Sequence, residues 1–557
     1  MERPILLIFA CLCFVWPTTA QVPTLVPPTP VPQPAETANT ARSTESATTR
    51  IGNSGVVRVG ILYNEPPFAL LSERGDLVGY DADVARAVAE AWGVETEFVQ
   101  VTRQNGTQRL QSGEIDLLMG AQVHSRERDA QLDFSQTYRR TGQMVMVRAD
   151  DGAITLFNLA NRPVGYVAGT LGEQALAEYM TRENTPFNTQ RFLLLDQALD
   201  ALFAGNVDGI VGRREQLLRI ATEFLDAVKL LEQPLRAEPI AIAMQRGDSG
   251  LRNLVNRTLQ YLLDNGTLPS LHEAYFPGEA FPVDAMPVWD NVGEGAPTPA
   301  QYAGSIAYPD QSVLERLQTG GVLRVASAID DASPGQGLVA NFHESLLNDM
   351  AGRWGVSIQR VSGDPLEAVA SGSADVAIGV EPDWNVAGRV DFSAPYLLHG
   401  DRLLVPDEDI DGFTDLRGLW IAVVDAEARR QAQFWADSVD VTVNFLETTP
   451  QTAVANVLEF NNANVIYGDS LTLIGMIQQA PNSLSLTDRW YSRDYMALAL
   501  PRNDVDFRLL VNYTLQAMAT DGTLDQLLRT VTPAGSDPPE FDVWPGSGGH
   551  LGFAFGG

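Results

Sequence analysis

The sequence predicts an α/β protein made of two tandem units, each with two lobes around a hinge. Three observations carry this. Strand-length apolar runs alternate with apolar residues at helical spacing, the first half contains two such βα series, and the halves repeat one another in order.

In the first half, 56–62 is a short apolar strand. Residues 81–92 place Val84, Ala85, Val88, Ala91 and Trp92 on one helical face, and Gly93 ends that helix. Residues 96–101, 115–119 and 144–147 read as strands. A second series begins with the strand 163–167 and continues through helices at 171–180 and 196–204 to the strand 208–211. A strand at 239–244 and a helix at 250–264 close the unit. Alternating β and α implies parallel sheets covered on both faces. Lobe one is expected at 56–147 plus 238–278 and lobe two at 150–235, with hinges at 147–150 and 233–239.

Five collinear pairs mark the repeat. Arg58-Val59 matches Arg324-Val325, Trp92-Gly-Val94 matches Trp354-Gly-Val356, and SGEID (112–116) matches SGSAD (371–375). LDFSQTY (132–138) matches VDFSAPY (390–396), and DNGTL (264–268) matches TDGTL (520–524).

The flanks differ in composition. Residues 1–20 read as a secretory signal: Arg3, an apolar stretch at 5–15, then small residues before a cut after Ala20. The apolar run is too short to span a bilayer. Residues 21–54 are rich in Pro, Thr, Ala and Ser and read as an extended tether. The expected layout is then a binding unit at 55–278, a linker at 279–310, a diverged second unit at 311–532 and a disordered Gly/Pro-rich tail at 533–557.

The formal net charge is -32, which opposes nucleic-acid binding and docking on an anionic membrane. Lys229 is the single lysine, so positive charge is almost all arginine. The two cysteines, Cys11 and Cys13, lie in the leader, which leaves the body without thiol chemistry or a cysteine-zinc site.

Several segments resemble the family 3 extracellular solute-binding proteins, the amino-acid receptors of ABC importers. They are VRVGILYNEPPF (57–68), LVGYDADV (77–84), LQSGEID (110–116), Arg128 followed by Asp133-Phe-Ser, VGYVAGT (164–170), Val207-Asp208 and the closing helix with DNGTL. The resemblance covers nearly all of 56–278 and, more weakly, about 321–532. It implies a type II periplasmic-binding fold, in which two lobes close on a small ligand. It also implies a periplasmic or extracellular location, an ABC permease as partner, no enzymatic activity and no cofactor.

The resemblance places Arg128 where the family grips the ligand carboxylate, and a guanidinium fork suits that bidentate contact. Gly120 and Ala121 match positions whose backbone faces the ligand. Thr170 stands at a helix N-terminus, where it would donate to the same carboxylate or cap the helix. Phe68 is a cleft residue or core packing. Three departures stand out. Arg213 occupies the place of the ammonium-binding aspartate, Arg103 replaces a stacking aromatic, and Glu65 replaces another. Several arginines around one cleft repel an ammonium, so the first unit is expected to take a carboxylate or dicarboxylate without an amine, or to have lost its ligand. Val123 replaces a Ser or Thr and removes one side-chain hydrogen bond.

In the second unit the Pro-Pro-Phe loop shortens to Ser333-Pro-Gly335, and the gripping arginine falls at Val386 or Ala387 unless Arg389 substitutes. Asp469 sits where the ammonium-binding aspartate belongs, and Trp384 offers a stacking face. This unit reads as a weak binder, a cation or amine binder, or a scaffold. GQGLVA (335–340) resembles a dinucleotide fingerprint but is the counterpart of the Pro-Pro-Phe loop. The five histidines lack metal-ligand spacing. Two other functions remain open: a sensory module without transport, and a dehydratase-like enzyme with Glu173 as general acid.

Overall fold

A computed structural model describes residues 45–328, 336–406, 409–480, 483–532 and 541–546. The leader, the signal cut and the Ser333-Pro-Gly335 loop fall outside the described residues. Two sheets make up each half. In the first half, one sheet runs Glu95–Val101, Val56–Leu62, Leu117–Met119, Ala243–Gln245, Leu132–Phe134. The first three strands are parallel and Ala243–Gln245 runs against its neighbours. The other sheet runs Asn188–Phe192, Pro163–Val167, Gly209–Arg213, Arg139–Arg148, Val228–Leu230, with Arg236–Ile240 also on Arg139–Arg148.

The second half has the same order, place for place. Its sheets run Ile358–Arg360, Leu323–Ser327, Val376–Val380, Asp494–Pro501, Val390–Phe392, and Asn444–Glu447, Trp420–Val423, Val465–Asp469, Asp401–Val405, Ser485–Leu486. Side chains repeat as well. Trp92 Nε1 donates to Thr258 Oγ1 at 2.7 Å, and Trp354 Nε1 to Thr514 Oγ1 at 2.9 Å.

The hinges lie elsewhere than expected. Met144–Val147, assigned to lobe one from its apolarity, pairs inside the lobe-two sheet with Gly209–Arg213. The chain therefore crosses between lobes at 135–138 and again at 241–242, between strands that belong to different sheets. An apolar run cannot tell which of two buried sheets it joins.

The flanking segments are also more ordered than their composition suggests. The expected tether ends in a helix, Ala47–Ser54, whose cap Ser46 donates to Asp248 at 2.7 Å. The helix Val313–Gln318 repeats this with Ser312 and Asp504, also at 2.7 Å. Segment 279–310 is packed down: Trp289 stacks on Trp384 with centroids 4.4 Å apart. In the tail, Trp544 stacks on His124 at 3.8 Å, and Arg140 pairs with Asp542 at 2.8 Å. A buried aromatic anchors a Gly/Pro-rich strap as firmly as a helix would.

These two tryptophan arms flank the contact between the halves, which is pseudo-twofold. Arg252 pairs with Asp391 at 2.7 Å and Arg508 with Asp133 at 2.8 Å. Within each half, on the helix that carries its arginine, Asn256 accepts from the Gln136 backbone and Asn512 from the Ala394 backbone. Apart from Arg140, every residue named here belongs to a lobe one or to the strap or tail that follows it. The lobe-two sheets are left at the outside.

Candidate functional site

Both clefts lie where the carboxyl ends of parallel strands face each other across the hinge, the usual ligand position of open α/β sheets. In the first unit, lobe one presents Glu65, just beyond Val56–Leu62, Arg103 beyond Glu95–Val101, and Gly120 and Ala121 beyond Leu117–Met119. Lobe two presents Thr170 beyond Pro163–Val167 and Arg213 at the end of Gly209–Arg213.

Glu65 joins the two lobes. Its Oε2 accepts from Arg103 Nη2 at 2.6 Å, and its Oε1 pairs with Arg213 Nη1 across the cleft. Arg213 is 11% exposed at its side chain, so this contact is largely sheltered from water. Behind Arg213 lies the buried Glu238, 3.9 Å from its Nε and itself held by Arg236 and Gln143. Arg128 donates to the Val123 carbonyl at 2.9 Å and to Gln122 Oε1 at 2.8 Å, over the face of Phe134. Burial first, then the Arg103 charge, pulls its pKa down to about 10 against the pull of Asp129. Three guanidinium groups thus border one cleft, with Glu65 strung between two of them and Glu238 behind Arg213.

Other expected site residues are placed differently. The amides of Gly120 and Ala121 both donate to Asp81 Oδ2, at 2.9 and 2.6 Å, so they are occupied by a buried carboxylate. Tyr138 donates to the other Asp81 oxygen at 2.8 Å. Burial lifts Asp81 to about 6 despite these three donors. Asp81 was not singled out in the sequence, although it lies inside LVGYDADV. Phe68 is fully buried against Phe276, with the Arg213 guanidinium 5.9 Å from its ring centroid. Thr170 donates to the Val167 carbonyl at 2.7 Å and makes no capping bond.

In the second unit, Trp384 is not in the cleft. It belongs to the contact between the halves, where its Nε1 donates to Gln260 at 2.8 Å. The loop after Val376–Val380 turns outward toward the first unit and carries Trp384 with it. Arg389 pairs with Glu367 on the surface and supplies no carboxylate grip. Asp469 is in the cleft: it caps the helix Ser470–Ile477 and accepts from His399 Nδ1 at 2.8 Å. His399, set aside in the sequence for want of a spaced partner, also lies 3.2 Å from Glu381.

The model of the bacterial extracellular solute-binding proteins, family 3, matches residues 57–278. The first half of the chain belongs to that family. This family-3 unit is 26% identical over 226 residues to the amino-acid-binding protein AabA of Dichelobacter nodosus, covering 39% of this chain and 87% of that protein. It is 25% identical to the L-cystine-binding protein TcyJ of Escherichia coli K12, covering 42% and 86%. A solved ancestral arginine-binding protein bound to arginine is 30% identical, with 40% of this chain and 98% of that one covered and a TM-score of 0.33. No helix among the described residues is long and apolar enough to cross a membrane.

Proposed function

We propose that this protein is an exported solute-binding protein whose first cleft captures a small carboxylate-bearing ligand, without a required amine, and delivers it to an ABC-type importer. One observation carries the reading: Arg103, Arg128 and Arg213 border the cleft from both lobes, and a side-chain carboxylate already bridges two of them. A ligand carboxylate would take the place of Glu65 and stabilise the closed form by touching both lobes. A binding role is favoured over catalysis because Glu173, the candidate acid, spends its carboxylate on the Gly169 amide at 2.7 Å. Transport is favoured over sensing because one relative, 27% identical, is the ABC transporter glutamine-binding protein GlnH of Bacillus subtilis.

Isothermal titration calorimetry of the full chain against neutral amino acids, monocarboxylates and dicarboxylates tests this. A dicarboxylate is expected to bind in the micromolar range or tighter, and to raise the melting midpoint as any ligand specific to the folded state does. Sub-micromolar binding of an ordinary neutral amino acid would overturn the reading.

A further inference from the structure

The second cleft holds a cavity of about 510 Å³, a volume in the range of small-molecule sites. Both lobes of the second unit line it. Glu381 and His399 come from one side, Glu427 and Asp469 from the other, and Asp401 and Asp494 from the strands between. No arginine or lysine lines it among the described residues. The counterpart of Arg213 is Asp469: each ends a strand, stands at the N-cap position of the next helix and lies opposite the crossing strand, Arg213 on Gln143 and Asp469 on Asp401. The two clefts therefore carry opposite charge at the same place in the fold.

We infer that the second cleft is a separate binding site for an aliphatic di- or polyamine that carries no carboxylate. Two carboxylates there have no cationic partner among the described residues. Asp401 accepts only from Tyr467, at 3.0 Å, and Asp494 only from Ser492, at 2.8 Å. Glu427 pairs with Arg430 beside it on the same helix. His399, 94% buried, is the resident cation. Its Nδ1 is bonded to Asp469, while its buried Nε2 lies near Glu381 without a hydrogen bond of good geometry. Burial opposes its protonation, but Asp469 and Glu381 outweigh that and raise its pKa to about 10. With Glu427 paired, one imidazolium cannot balance the four remaining carboxylates, and burial together with like charges pushes Asp401 up to about 6. A charged ammonium placed between Asp401 and Asp494 would relieve this repulsion.

The remaining features select the amine class. A carboxylate-bearing ligand would meet only like charge, because Val386 stands at the place of Arg128 and Arg389 is turned to Glu367. A metal ion needs three or more ligands converging on a point, and no such group occurs among the described residues. Carboxylates spread around a cavity suit a chain with charges spaced along it.

The test is calorimetric titration of the full chain with 1,4-diaminobutane, spermidine, L-arginine, magnesium and calcium as separate probes. One of the two amines is expected to bind with a micromolar Kd, and Asp494→Asn to weaken it about tenfold or more. Glu381→Gln, just beyond Val376–Val380 in the same lobe, is expected to weaken it too, while Glu367→Gln on the surface leaves it unchanged. Circular dichroism establishes that each variant is folded. The inference is overturned if neither amine binds up to about 1 mM, if L-arginine or a metal ion binds as tightly as the amine, or if both cleft variants bind like the parent chain. Any of these results leaves the carboxylate reading of the first cleft untouched, because that rests on other residues and other ligands.

Discussion

At the scale of single residues, each cleft is governed by a resident side chain of the sign its ligand would carry. Glu65 holds Arg103 and Arg213 in the first cleft, and His399 lies between Asp469 and Glu381 in the second. Arg213→Ala is expected to weaken dicarboxylate binding about tenfold or more, because it removes a charge-assisted contact supplied by lobe two. Glu65→Gln should act the other way and tighten binding roughly three- to tenfold, since both guanidinium groups are then free for the ligand. Titration calorimetry of both variants reads this. A weakened Glu65→Gln would instead assign Glu65 to a ligand cation. His399 gives a pH dependence with a defined sign. Its pKa is raised to about 10 in the folded protein, from about 6.5 for a free histidine. The folded state therefore holds the proton more tightly, and this stabilisation is complete below about pH 6.5 and lost as pH rises through about 10. Chemical denaturation at pH 6 and pH 10 should show a decline on the order of 4 kcal/mol, at about 1.4 kcal/mol per unit, that His399→Gln largely abolishes. Arg213 was legible by counting from Asp208, because strand length fixes where a strand-end residue emerges. His399 was not, because its partner Asp469 is distant in sequence and meets it only through sheet pairing.

At the scale of elements, periodicity located strands and helices well and assigned them to lobes less well. The first strand spans Val56–Leu62 as expected, and the first long helix spans Tyr80–Trp92. The strand Arg139–Arg148 was misassigned because burial on both faces erases the alternation that would show its partner. The helix Ala47–Ser54 was hidden inside a Thr/Ser-rich tract, and only Ser46 paired with Asp248 shows why it stops being a tether there. The Asp248 carboxylate accepts from Ser46 Oγ, from the Ala47 amide at 2.7 Å and from the Leu251 amide at 3.0 Å. It thus caps one helix and tethers another. Asp248→Ala removes both functions and is expected to cost about 1–2 kcal/mol, the upper part of the usual capping range. Urea denaturation measures that. Limited proteolysis should also show faster cleavage before residue 55 if Asp248 anchors the helix. Asp504→Ala is expected to match it at Ser312 and the helix Val313–Gln318.

At the scale of the whole molecule, the two units are joined mainly through their lobe-one bodies. Arg252 is 5% exposed, and its nearest carboxylates are Asp391 at 2.7 Å and Asp133 at 3.9 Å. Asp391→Ala leaves this guanidinium buried beside Arg508 with only the distant Asp133, and stranding a buried charge costs about 3–5 kcal/mol. That cost falls on the contact between the units and not on either cleft, because neither Glu65, Arg103 nor Arg213 takes part in it. The stacked Trp289 and Trp384 sit at this contact and report on it by fluorescence. In guanidinium titrations, the fluorescence transition of Asp391→Ala should move to lower denaturant, while first-cleft affinity stays within about twofold of the parent, the additivity expected of sites without shared partners. Asp133→Ala should do the same through Arg508, the pseudo-twofold mate of Arg252. A loss of first-cleft affinity in Asp391→Ala would instead mean that the lobe-one contact sets the hinge, and the two clefts would then be coupled through it.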